Sequence, residues 1–107
     1  MLFRSQMALH GLSAKDLENV VVAYEPVWAI GTGLTATDAQ ANETIGVIRK
    51  AIEAKFGRYA AEHICIQYGG SMKGSNVKGL MAQPEIDGGL IGGVSLKAAD
   101  FAQVVNF

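Results

Sequence analysis

The stretch "AYEPVWAIGTGLTATDAQ", residues 23–40, sets one carboxylate, Glu25, between an apolar run and Pro26. Trp28, a Gly-Thr-Gly turn and a helix start follow it. Upstream, "VVVAY" at 20–24 is a continuous run rich in β-branched residues, the mark of a strand buried on both faces. A residue before proline is pushed into extended backbone, so Glu25 closes the strand. Downstream, Thr37 and Gln40 have the spacing of a capping box. Ala41, Ile45, Ile48 and Ile52 then share one face of a helix that runs to Phe56, where Gly57 stops it. The stretch reads as strand, loop, helix, with an acid at the strand's carboxyl end.

The same order recurs twice. "ICIQY" at 64–68 is a strand, "GGS" a turn, and Ser75 caps a short helix through Met81, with Pro84 beyond it. "GGLI" at 88–91 is a third strand, Gly92 and Gly93 a third turn, and a last helix covers 97–105. Residues 2–9 read as the end of a helix closed by Gly11, and Ser13 as the cap of a short helical turn. Three β-turn-α units in series predict parallel strands with crossover helices. All three turns then lie at the carboxyl ends of the strands, where parallel α/β folds bind ligands.

Composition excludes several classes. At 107 residues, half of them apolar, the chain makes one modest segment rather than two domains. A net charge of −1 without a basic run argues against nucleic acid and anionic membranes. The single cysteine, Cys65, leaves no disulfide framework and fits a reducing, cytoplasmic setting. Arg4, Ser5 and Gln6 interrupt any signal-peptide core, and no apolar run approaches the roughly 20 residues of a membrane span.

The turns carry the chemistry. Gly31/Gly33, Gly69/Gly70 and Gly92/Gly93 allow close backbone approach and leave amides free. With helix starts behind them and Ser71 and Ser95 as hydroxyl donors, they suit a phosphate without any clustered cation. Each turn alone also reads as a plain connector. Apolar neighbours would strip water from Glu25 and make it a better base; a solvated strand-end carboxylate is the other reading. The loop from Pro26 to Ala36 is stiff at Pro26-Val27-Trp28 and loose at Gly31-Thr32-Gly33, the layout of a lid between short hinges. "GTGLTA" at 31–36 fits the weak form of a dinucleotide fingerprint, but the glycines do not follow the strand directly, and the next strand ends in Tyr68-Gly69 with no acid for a ribose. His10 and His63 fall before strands, at the edge away from the turns.

"AYEPVWAIGTG" closely resembles the signature of triosephosphate isomerase, and "YGGS" and "IDGGLIGGVSLK" match its next two strand ends in order and spacing. The resemblance covers essentially the whole chain. It implies a partial (β/α)₈ TIM barrel: strands six to eight of an α/β fold, with no counterpart of strands one to five. It implies that Glu25 is the base that moves a proton between adjacent carbons of a triose phosphate, with no metal or organic cofactor. Residues 26–36, with Pro26, Trp28, Gly33 and Ala36, would form the lid. Gly31, Ser71, Gly92 and Gly93 would bind the substrate phosphate. Tyr68 and Ser71 would hydrogen-bond the closed lid near Ala36 and Gly33, and Leu90 would press on Glu25. The family's partners follow: the N-terminal part of the barrel, which carries the remaining catalytic Asn, Lys and His, and a second subunit of a homodimer. Its place is glycolysis and gluconeogenesis. A closed barrel of this kind needs about 250 residues, so the isolated chain is expected to lack turnover.

Overall fold

The computed structural model describes residues 2–29, 32 and 34–107, with the side chains of Leu2 and Phe3 excepted. Its strands are β1 (Val21–Tyr24), β2 (Cys65–Tyr68) and β3 (Gly88–Gly89), forming one parallel sheet in the order β1-β2-β3. The helices are α1 (Leu2–Ala8), α2 (Asp38–Phe56), α3 (Arg58–His63), α4 (Val77–Met81) and α5 (Ala98–Val105). Strands alternate with helices as the repeated turns predict. The register pairs Val21 with Cys65, Tyr24 with Tyr68, and Tyr68 with Gly89.

α2 starts where the sequence places it. The Thr37 hydroxyl accepts from the Gln40 amide at 3.1 Å, and the Gln40 side chain accepts from the Thr37 amide at 3.0 Å. This reciprocal pair satisfies two amides of the first turn. Ala41, Ile45, Ile48 and Ile52 are all buried on one face, and they share a core with Tyr24, Ile66 and Tyr68. Gly57 adopts φ 92°, a backbone that side chains rarely take, and so ends the helix. The sequence offers no signal for α3, which restarts directly from Gly57; its Ala60 and Ala61 are buried. Ser13 and Asp16 bond reciprocally ahead of a 3₁₀ turn over Asp16–Asn19, and the Ser13 amide and hydroxyl hold the Asp16 carboxyl below its ordinary pKa.

Three expectations need correction. β1 is not buried on both faces: Val22 and Tyr24 turn to the helices, but Val21 and Ala23 are exposed. Three strands leave the second face of the sheet uncovered, and Glu25 continues that exposed series. β3 covers Gly88–Gly89 rather than 88–91; one more bond follows, from the Leu90 amide to the Tyr68 carbonyl at 2.9 Å, and then the chain turns away. Two glycines offer no side chains to extend the strand. Ser75 does not cap α4: Asn76 is the residue before the helix, and its side chain turns back into the preceding loop.

Candidate active site

The carboxyl ends of all three strands open on one cavity of about 450 Å³. Glu25 and Pro26 line it from the end of β1, Gly70 and Ser71 from the end of β2, and Leu90, Gly92 and Gly93 from beyond β3. The β1–β2 pairing continues past the strands, with the Gly69 amide bonded to the Tyr24 carbonyl at 2.6 Å. That bond brings the second turn against Glu25: a Cβ on Gly69 would sit 3.7 Å from the Glu25 Cβ.

Among the described residues, the amides of Gly70, Ser71, Gly92 and Gly93 donate to no other group. A side chain at Gly92 or Gly93 would meet nothing within 4 Å, so these backbones stand open. Gly70 differs, because a Cβ there would collide with the Tyr68 ring and hydroxyl. One carboxylate and a set of backbone amides, free among the described residues, thus line the same cavity. Such amides suit an anion such as a phosphate, and the carboxylate suits proton transfer.

Ser95 does not join this set. Its hydroxyl donates to the Gly92 carbonyl at 2.6 Å and so braces the third turn from behind. Glu25 is exposed, so the enclosure by apolar neighbours expected from its sequence is absent on the uncovered face. Leu90 shares the cavity with it and is itself 56% exposed.

The loop after Glu25 begins with buried Pro26 and a 3₁₀ turn over Val27–Ala29. The Thr32 hydroxyl donates to the Ala29 carbonyl at 2.8 Å and accepts from the Leu34 amide at 3.1 Å. Ala29 and Leu34 line the cavity; Trp28 does not, and is exposed beside Tyr24, Ala36 and Gln40 in a separate depression. Gly31 and Gly33 lie outside the described residues. Ala36 is buried, and the Tyr68 hydroxyl, also buried, faces its backbone without reaching hydrogen-bond geometry. Burial raises the Tyr68 pKa, and the Ala36 backbone works in the opposite direction.

Sequence reasoning missed two contributors. Met72 lines the cavity yet is almost fully buried, and its sulfur fills the space where a Cβ of Gly89 would be. Asn76 lies behind Ser71 and bonds its carbonyl. An Asn one residue ahead of an apolar helix was the available signal. His10 and His63 line no part of the cavity.

A parallel sheet with helices between its strands, and a cavity at its carboxyl edge, defines part of an α/β barrel of the enzyme-bearing kind. The family model for triosephosphate isomerase matches residues 3–107, and the chain belongs to that family. It is 64% identical to the triosephosphate isomerase of Clostridium acetobutylicum over 102 residues, covering 95% of this chain and 41% of that protein. The enzyme of the same name from Clostridium botulinum (strain ATCC 19397 / Type A) is 57% identical over the same shares. That of Caldanaerobacter subterraneus subsp. tengcongensis is 52% identical over all 107 residues, 43% of its length. The chain thus spans about two fifths of the curated relatives it matches.

Proposed function

We propose that this chain supplies the base and the phosphate-binding rim of a triosephosphate isomerase, which interconverts glyceraldehyde 3-phosphate and dihydroxyacetone phosphate. The observation that carries the reading is that Glu25 lines one cavity together with Gly70, Ser71, Gly92 and Gly93, whose amides have no partner among the described residues. The carboxylate takes a proton from the carbon beside the carbonyl and returns it to the neighbouring carbon. The Ser71 and Gly92/Gly93 amides hold the phosphate, with the lid completing that grip through Gly31. Pro26 to Ala36 acts as the lid over bound substrate, with Tyr68 and Leu90 as its supports. Glycolysis in the cytoplasm is the matching setting. Among the described residues no helix is long and apolar enough to cross a membrane.

The developing enediolate oxygen also needs a donor, commonly worth about 3–4 kcal/mol. Neither His10 nor His63 lines the cavity, so this donor belongs to the rest of the barrel. The same part covers the open face of β1 and pairs with the outer strand edges. The uncovered face favours a second statement: the chain by itself is a non-catalytic piece that docks with a separate N-terminal part. The test combines this chain with the remaining part of the Clostridium acetobutylicum relative to reassemble a barrel. Turnover of triose phosphate is expected in the reassembled barrel and only at background in the chain alone. A silent reassembled barrel would overturn the first statement, and an active isolated monomer the second.

A further inference from the structure

We infer that Asn76 is a positioning residue for the phosphate rim, acting through Ser71; this rests on the reading of Ser71 given above. Ser71 lines the cavity on a loop between β2 and α4 that has no regular structure of its own. The backbone amides of Asn76 and Val77 bond the Lys73 carbonyl at 3.1 and 2.9 Å, and one carboxamide ties this turn back to Ser71. The Asn76 Oδ1 accepts from the Lys73 amide at 2.8 Å, and its Nδ2 donates to the Ser71 carbonyl at 2.9 Å. The two partners fix the orientation of the group, because an amide N–H needs an acceptor and a carbonyl needs a donor.

The consequence is local and directional. Holding the Ser71 carbonyl fixes the peptide plane between Ser71 and Met72. Met72 is buried and wedged against Gly89, so that plane is anchored at its far side too. Ser71 is left with its amide and hydroxyl free among the described residues, on a backbone pinned from behind. Asn76 itself does not line the cavity. It therefore acts on ground-state binding through the geometry of Ser71, and has no part in proton transfer at Glu25. Small displacements of binding groups carry large effects, so the expected change is about tenfold or more.

In the reassembled barrel, Asn76→Ala is expected to raise KM for triose phosphate about tenfold and to weaken inorganic phosphate by a similar factor, with kcat changed less than about twofold. Asn76→Asp keeps the acceptor for the Lys73 amide but sets a carboxylate oxygen against the Ser71 carbonyl. It is expected to weaken phosphate at least as much, and it decides the matter if the alanine variant does not fold. Gly92→Val, which touches the rim directly, serves as the reference. A wild-type KM in both Asn76 variants while Gly92→Val weakens phosphate overturns the role of Asn76 alone. If Gly92→Val has no effect on phosphate either, the phosphate reading falls and this inference with it. Parallel losses in kcat and affinity mark a general structural defect and also overturn it.

Discussion

The two ends of this small sheet are built on opposite terms. At the carboxyl end, the amides of Gly70, Ser71, Gly92 and Gly93 have no partner among the described residues, and Glu25 is exposed beside a cavity. At the amino end, a cluster of polar groups is tied to one residue. Arg49 reaches from α2 with Nε on Glu85 Oε2 at 2.8 Å, and with Nη1 on the carbonyls of Ala61 and Ile64 at 2.7 and 3.1 Å. Its Nη2 reaches the Glu85 carbonyl at 3.0 Å and Asp87 Oδ2 at 2.7 Å. All the guanidinium hydrogens are thereby used. Asp87 also accepts from the Ile66 amide at 2.9 Å, so the knot ties α2, the end of α3, and the starts of β2 and β3 together. The difference is one of partners: at the amino end the polar groups bond one another, while the carboxyl-end amides have no partner among the described residues. Barrel folds divide their faces in this way.

The sharpest way to break this division is Glu25→Gln. The change keeps the shape and removes the basicity. A positioned base contributes about 10²–10⁴-fold, so turnover of the reassembled barrel should fall by that factor. Near-normal turnover would remove Glu25 from the chemistry.

Arg49→Met is the converse. It keeps the apolar stem and deletes every donor at once, which strands carbonyls and two carboxylates around β2. The expected cost is about 2–3 kcal/mol of stability in the reassembled barrel, read from urea unfolding. This lies below the range for a fully buried pair, since the side chains of Glu85 and Asp87 are 35% and 37% exposed. Phosphate affinity of the folded protein should stay at the wild-type value. A large loss of affinity with unchanged stability would erase the distinction between the ends.

What could be read in advance follows the same split. Part of the carboxyl end was legible because its signals are local: Pro26 follows Glu25 at the end of β1, and the glycine pairs 69/70 and 92/93 mark the second and third turns. The capping box of Thr37 and Gln40 and the Ala41/Ile45/Ile48/Ile52 face were legible for the same reason. Arg49 was not, because its partners lie 12 to 38 residues away and nothing local distinguishes it from a solvated arginine. Asn76 cannot be told from Ser75 in the sequence, since both residue types cap helices and only the loop's path decides which carbonyl is within reach. The exposure of Val21, Ala23 and Glu25 escaped a reading of "VVVAY" that assumed a covered sheet. Burial of a strand face depends on what packs on it, which its own residues do not state.

A smaller effect tests whether α2 belongs to either end. Thr37→Ala removes the acceptor for the Gln40 amide and should cost about 1 kcal/mol, measured by urea unfolding of the reassembled barrel. Thr37 immediately follows Ala36, so a cost in stability with unchanged KM places the cap with the scaffold. A raised KM at unchanged stability would assign it to the lid instead.

Tyr68→Phe has the smallest expected effect and is the most informative about the boundary. The ring is fully buried in the core, yet its hydroxyl has no hydrogen-bond partner among the described residues. An unpaired buried hydroxyl is a cost, so its removal should stabilise the reassembled barrel by up to about 1 kcal/mol at neutral pH. The pH dependence has a definite sign. Burial raises the phenol pKa in the folded state above the ordinary value of 10.0. Above pH 10 the unfolded chain therefore loses a proton that the folded chain keeps, and stability falls as pH rises through that value. The Phe variant should lack this part of the alkaline fall. If it is more stable yet binds phosphate less well, the hydroxyl is held unpaired for the lid backbone at Ala36, and the functional end extends into the core. If the Phe variant is instead less stable at neutral pH, the hydroxyl is already bonded in the resting protein and belongs to the scaffold.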